Sequence, residues 1–458
     1  MRRAAEEDLL KWFRTKNNRK PLILRGARQV GKSTLVRNFC AANGLELCEL
    51  NLELTKIGQF EKFGTNFFDI GLAIKEIEAL SGISLGKPNT LLFIDEIQEQ
   101  PKAVSCLRYF YEKHHDIAVI AAGSLLEFTL NDQEFSMPVG RVEFHHLGPM
   151  TFVEYLQAVK EEKLIEWIEV GHKKNPSEAL HAKAVQYYKT YLFVGGMPAA
   201  IKTYLETSDL RETRRIQRGI IDTYKADFSK YATRAQTARL PKVMEYAAMC
   251  AGNLAKYSEI SRDDKTNDVK KAIELLCQAR VVHRANHTNA TELPIKAQRD
   301  ESVFKLYFLD VGLMTCLSGI DFDDILNDRM ESFKGKVSEQ FIAQHLAYFQ
   351  GPDMEPELYF WLNNKKRGAA EIDFVIQHKG EIMPIEVKSK KIGSLKSLYQ
   401  FVRTHKTDLA VNFNLSNFQE HDINRVAYKI DPGTRLRFDL VQVPAYSVEF
   451  LPENSLQP

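Results

Sequence analysis

The run Gly26-Ala27-Arg28-Gln29-Val30-Gly31-Lys32-Ser33 constrains this chain more than any other stretch. It lies between Pro21-Leu22-Ile23-Leu24, which reads as a short buried strand, and Thr34-Leu35-Val36-Arg37-Asn38-Phe39, which reads as a helix. On that helix Leu35, Val36 and Phe39 share the inward face. A glycine-rich turn from strand into helix aims backbone N–H groups at one point and adds the positive end of the helix dipole. Phosphate is the ligand such a loop suits. Residues from Gly26 to Thr34 form the cradle, Lys32 reaches toward β- and γ-phosphates, and the Ser33 hydroxyl is placed to ligate Mg²⁺. The expected ligand is a nucleoside triphosphate, ATP first.

At 458 residues the chain is too long for one core. Its 44% hydrophobic and 27% charged residues are those of an ordinary globular protein. A net charge of +2 means that any nucleic-acid surface must be local. The six cysteines, at positions 40, 48, 106, 250, 277 and 316, form no CxxC pair and sit in apolar contexts. They read as core residues in a reducing compartment, not as disulfides or zinc ligands. Glu6, Glu7 and Asp8 turn the start of the chain acidic, which argues against a secretory signal. The longest apolar stretches, near 117–126 and 191–201, are too short to cross a bilayer. A cytoplasmic protein without membrane contact is expected.

Thr90-Leu91-Leu92-Phe93-Ile94-Asp95-Glu96 is an apolar strand ending on two carboxylates. A buried parallel strand delivers them to the carboxyl edge of its sheet, where nucleotide sites lie. Asp95 is placed to hold Mg²⁺ through water, and Glu96 to polarise an attacking water. A further strand, 117–122, stops at Gly123-Ser124, where a polar residue can sense the γ-phosphate. Val139-Gly140-Arg141 then precedes a strand over 142–147. These pieces, in this order, resemble the AAA-type ATPases. The resemblance implies a parallel sheet with an extra strand between the P-loop strand and the Asp-Glu strand. It further implies Glu96 as catalytic base, Ser124 as sensor and Arg141 as a finger acting on a neighbouring subunit, hence a homo-oligomer. Two readings of Arg141 stay open, the finger and a surface ion pair, and Arg28 is a second candidate for phosphate contact.

From 151 to 250 the pattern is helical, with Phe152, Tyr155 and Leu156 on one amphipathic helix and Val185, Tyr188, Tyr191 and Leu192 on another. Gly195-Gly196-Met197-Pro198 breaks it as a tight turn. This block fits a lid over the ATPase sheet. Its basic segment 211–218 suits either a phosphate or subunit contact, or a solvated face. Between 251 and 330, helices near 257–260 and 267–277 precede strands at 280–284 and 304–309. Helix, turn, helix and hairpin is a winged-helix pattern. Lys265, Lys270, Lys271, Arg280 and Arg284 suit a DNA backbone, while Asp263, Asp264, Asp268 and Glu274 dilute the charge. DNA contact and a structural adaptor both remain open.

In the last segment, 331–458, a helix carries Glu339, and strand-like Leu358-Tyr359-Phe360-Trp361 leads into a basic loop at 363–368. Glu371-Ile372-Asp373-Phe374-Val375-Ile376 follows as a strand and, past a turn at 378–380, so does Ile385-Glu386-Val387-Lys388. Side chains two apart share a face, so an antiparallel pair converges Asp373, Glu386 and Lys388. Two carboxylates suit Mg²⁺, and a lysine beside them can orient or deprotonate a water. The constellation resembles the PD-(D/E)XK nucleases, with Glu339 matching the acidic residue of the leading helix. The motif's proline is absent, since Ile372 precedes Asp373. A helix at 395–401 with Lys396 and Gln400 suits a nucleic-acid backbone. The other reading of Glu386 and Lys388 is an ordinary ion pair, and a fold does not imply cleavage.

Along its whole length the chain resembles a prokaryotic family that joins an AAA-type ATPase to a domain of unknown function with winged-helix and nuclease-like parts. The expected architecture is α/β, with an ATPase domain at 1–150, a helical lid at 151–250, a winged-helix domain at 251–330 and a nuclease-like domain at 331–458. The expected function is a Mg²⁺-dependent ATPase coupled to a nucleic-acid-binding, DNA-cleaving module. The alternative is an ATP-dependent switch or assembly scaffold whose nuclease-like domain does not cleave.

Overall fold

The computed structural model describes residues 1–16, 18–124, 126, 128, 140–174, 177–327, 329, 333–363, 370–388, 395–418, 423–431 and 434–450. Val139 and positions 364–368 of the expected basic loop lie outside the described residues.

Near the start, β1 (Leu22–Arg25), β2 (Glu46–Asn51), β3 (Thr90–Asp95), β4 (Ala118–Ala122) and β5 (Glu143–His146) make a sheet in the order β2-β3-β4-β1-β5. Every pairing is parallel. β4 sits between β1 and β3, the extra strand that the resemblance implied. Every residue of β3 and β4 is buried, because a parallel sheet covered on both faces leaves no polar side. Alternate residues feed opposite layers. Leu24, Phe93 and Ile120 pack with helices Ala5–Arg14 and Lys32–Asn43. Ile23, Ile94 and Val119 pack with helices Ile70–Ser81 and Pro101–Lys113.

A helical block follows, including Phe152–Ala158, Glu178–Val194, Pro198–Thr207 and Leu210–Tyr231. Thr151 and Glu154 close a capping box at the first of these. The Gly195-Gly196 turn has a tertiary cause. A Cβ on Gly195 (φ 73°) would stand 2.8 Å from the Gly312 Cα, and Gly196 N donates to Asp310 Oδ2 at 2.5 Å. The start of helix Val311–Leu317 is pressed onto this turn, which only glycine accommodates.

Helices Leu240–Met249, Tyr257–Ile260 and Thr266–Gln278 precede an antiparallel hairpin of β6 (Val282–Thr288) and β7 (Arg299–Phe308). Both strands outrun the expected spans. The first four residues of β7 are exposed and polar, so they pair through backbone alone and leave no hydropathy signal. β8 (Leu358–Asn363) then pairs parallel with β6, and β9 (Ala370–Ile372) antiparallel with β8. The sheet β7-β6-β8-β9 therefore runs across residue 330. β10 (Phe374–His378), β11 (Glu381–Val387), β12 (Leu409–Asn414), β13 (Ile423–Asp431) and β14 (Thr434–Pro444) form a mixed sheet in the order β10-β11-β12-β14-β13. The strand expected over 371–376 is divided at Asp373, which lies between β9 and β10 in different sheets. Among the described residues, no helix is long and apolar enough to cross a membrane.

Candidate functional site

β1 ends at Arg25, and the chain turns at Gly26, where an added Cβ would lie 2.3 Å from the Leu147 carbonyl oxygen. Gln29 (φ 64°) and Gly31 (φ 95°) take left-handed conformations that curl the loop into the helix beginning at Lys32. Lys32 is buried, and its Nζ donates to the Gly26 and Ala27 carbonyls at 2.9 Å each. Burial lowers its pKa to about 8, against the pull of Glu96 and Asp95. Ser33 Oγ donates to Asp95 Oδ2 at 2.7 Å. Burial raises the Asp95 pKa, and the Ser33 hydrogen bond opposes the shift. Glu96 is left-handed (φ 51°), and its Oε2 accepts from Gln98 Nε2 at 2.6 Å and from Ser124 Oγ at 3.5 Å. Lys32, Ser33, Asp95, Glu96 and Ser124 are thus brought together at the carboxyl edge of the sheet. Parallel strands β1, β3 and β4 all end there, which is why residues so far apart in sequence meet.

Two arginines behave otherwise. Arg28 Nη1 is 2.6 Å from Asp227 Oδ2 on helix Leu210–Tyr231, and Tyr224 OH donates to the Arg28 carbonyl at 2.8 Å. Helix Leu210–Tyr231 is therefore clasped to the loop itself. Arg141 precedes β5, whose Glu143 pairs with Leu22 at the amino end of β1, so it lies at the edge opposite the P-loop. Its Nε donates to Glu112 Oε1 at 3.0 Å, the surface ion pair that the sequence left open.

Sequence reasoning missed Arg3. It is buried, its Nε donates to both Glu154 carboxylate oxygens at 3.0 Å, and its Nη1 donates to the Val30 carbonyl at 2.9 Å. The Thr-x-x-Glu signature at 151–154 was legible, but nothing local linked it to Arg3. Pro198 also reaches the loop, with Cγ 3.4 Å from where a Gly31 Cβ would stand.

A second constellation lies where the two later sheets meet. Asp373 Oδ2 accepts from Val387 N at 2.8 Å, and Glu386 Oε1 accepts from Lys388 Nζ. Glu339 joins from helix Lys334–Leu346, and its Oε1 accepts from Tyr307 OH at 2.5 Å. Between them stands Lys305 of β7, with no exposed surface, its Nζ 2.6 Å from Glu371 Oε1 and 3.1 Å from Glu339 Oε1. Burial, then the Glu386 and Glu339 charges, push the Asp373 carboxyl well above its usual range. Burial also raises Glu386, against the opposing charge of Lys388. Burial disfavours the Lys305 charge, but the surrounding carboxylates outweigh it and hold the ammonium charged. A signal for Lys305 was present: one lysine inside the apolar run Val303-Phe304-Lys305-Leu306-Tyr307-Phe308 must find a partner.

The basic groups that suited either a DNA backbone or a structural adaptor are partly engaged. Arg280 is buried and pairs with Glu355 at 3.2 Å, and Lys270 lies 3.9 Å from Glu274. In the basic segment 211–218, Arg214 is buried and donates to the Ile320 carbonyl at 2.6 Å, a packing role.

Residues 18–156 match an AAA domain family, residues 185–324 a domain of unknown function (DUF8612) and residues 334–429 another (DUF4143). No curated protein sequence matches the chain. Among solved structures, the S. cerevisiae Hsp104–ADP complex is 14% identical with a TM-score of 0.27, covering 61% of this chain. The match spans 39% of the Hsp104 chain. The chain carries an AAA-type ATPase domain followed by domains of unknown function.

Proposed function

We propose that this chain, from its AAA-type domain, binds ATP with Mg²⁺ and hydrolyses it. The convergence of Lys32, Ser33, Asp95, Glu96 and Ser124 on one sheet edge carries the reading. Backbone amides of 26–34 bind the phosphates, and Lys32 exchanges its two carbonyl partners for phosphate oxygens. The Ser33 hydroxyl and the Asp95 carboxylate, 2.7 Å apart, are a donor set that suits Mg²⁺, which supplies charge neutralisation when bound. Glu96 takes the proton of the attacking water, with Gln98 and Ser124 holding its carboxylate. Lys32→Ala should abolish nucleotide binding in a fluorescent-ATP titration. Glu96→Gln should retain ATP without turnover, and normal turnover would sink that assignment.

For the rest of the chain, three helices ahead of the β6–β7 hairpin support a winged-helix reading of 251–330. A helix bearing Glu339 ahead of β10 and β11 supports a nuclease-like reading of 331–458. Arg141 serves a neighbouring subunit in an oligomer only if Glu112 releases it. One observation favours the switch or scaffold over the DNA-cleaving module: Lys305 is buried and its ammonium pairs with Glu339, a carboxylate that a nuclease would give to metal, and with Glu371 beside it. Metal-dependent cleavage of DNA or RNA by wild type, lost in Lys388→Ala, would restore the nuclease.

A further inference from the structure

The acidic cluster of the C-terminal region draws on separate elements. Glu339 comes from helix Lys334–Leu346, Glu371 from β9, Asp373 from the break before β10 and Glu386 from β11. A Mg²⁺ ion asks for near-octahedral oxygen ligands converging at about 2.1 Å. These side chains do not offer that. Glu339 Oε1 already receives Lys305 Nζ and Tyr307 OH, Glu371 Oε1 receives Lys305 Nζ, Asp373 Oδ2 receives Val387 N, and Glu386 Oε1 receives Lys388 Nζ. Glu386 Oε2 is the one oxygen of this set recorded as buried without a partner. Among the described residues, no three His, Cys, Asp or Glu side chains converge at metal-ligand spacing.

A different cation does fit. Lys305 enters from β7, a strand of the other sheet, and is wholly buried. Its ammonium lies over the Phe360 ring, 5.2 Å from the centroid, between Glu339 and Glu371. Gly252 backs the Glu339 carboxylate, since a Cβ there would stand 2.5 Å from Glu339 Oε2. Two carboxylates, an aromatic face and a glycine-backed wall make a built ammonium site.

We propose that the Lys305 ammonium is the resident cation of this cluster, held by Glu339 and Glu371 in the place where the sequence reading put a divalent metal. The hairpin thereby plugs the acidic site, and the wild-type cluster takes no divalent ion. Removing the ammonium leaves its carboxylates uncompensated and opens the cluster to a divalent ion.

The test uses the full chain without nucleotide, so it is independent of the ATPase reading, with Mn²⁺ as probe followed by electron paramagnetic resonance. Wild type and Asp373→Asn should bind Mn²⁺ identically. Lys305→Met should gain a site at least about tenfold tighter than any in wild type, lost again in Lys305→Met/Glu339→Gln. It should also melt at a lower temperature than wild type and recover on adding Mn²⁺. A folded Lys305→Met that gains no site overturns the proposal. So does Mn²⁺ binding in wild type that Asp373→Asn removes, and this comparison decides the matter even if Lys305→Met does not fold.

Discussion

Replacing Arg3 by methionine tests whether the start of the chain braces the nucleotide loop. Among the described residues the guanidinium is the sole charged partner of Glu154, with relative side-chain exposures of 8% and 5%. Breaking a buried pair from one side costs about 3–5 kcal/mol. Glu154 keeps backbone donors from Ala4 at 2.7 Å and Thr151 at 2.9 Å, which moderate the exposed charge. The Val30 and Gly148 carbonyls each lose a donor, adding about 1 kcal/mol apiece. With the low end, about 3 kcal/mol, for the moderated pair and about 2 kcal/mol for the two carbonyls, a total near 5 kcal/mol follows. Urea unfolding followed by tryptophan fluorescence reads it directly, because Trp12 lies on the adjoining helix. Arg3→Met/Glu154→Gln should recover about 1–2 kcal/mol of the loss, because the unpaired charge is gone. ATP affinity should fall in both variants, since Val30 belongs to the proposed phosphate cradle. A loss below about 1 kcal/mol, or no recovery in the double variant, refutes the reasoning.

Three further outcomes follow from the same geometry. Burial puts the Lys32 pKa at about 8 in the free protein, and phosphate favours its charged form, so ATP binding should take up a proton above about pH 8, where the triphosphate is itself fully ionised. Calorimetry at about pH 8.5 in buffers of different ionisation enthalpy should show it; equal apparent enthalpies would count against it. Gly195→Ala should destabilise by at least about 2 kcal/mol, because the Gly312 backbone 2.8 Å from the new Cβ cannot yield; an unchanged urea midpoint would argue otherwise. Burial raises the Glu449 pKa from 4.5 to about 7, so the folded state holds a proton there that the unfolded state has released. Stability should fall by about 1.4 kcal/mol per pH unit on that account as pH rises through this window. Glu449→Gln keeps an acceptor for Val153 N and should flatten that slope; a profile parallel to wild type would refute it.

The nucleotide edge was legible because its signals are local. A strand, a glycine turn and a helix in sequence produce the P-loop wherever the chain goes next, and an apolar run ending in Asp95-Glu96 must end at a sheet edge. The division of the 371–376 strand at Asp373 was less visible, because hydropathy does not register a change of sheet. What only the tertiary structure decided are the partners of charged residues. Arg3 meets Glu154 across 151 positions and Arg28 meets Asp227 across 199, so neither pair leaves a spacing to read. Sequence determined which groups could touch a phosphate or a carboxylate. Tertiary structure decided that Arg28 clasps helix Leu210–Tyr231, that Arg141 lies on the far edge, and that Lys305 pairs with Glu339 and Glu371. The physical reason is that a charged side chain's role depends on which opposite charge shares its burial, and burial is a property of the assembled layers, not of the residue.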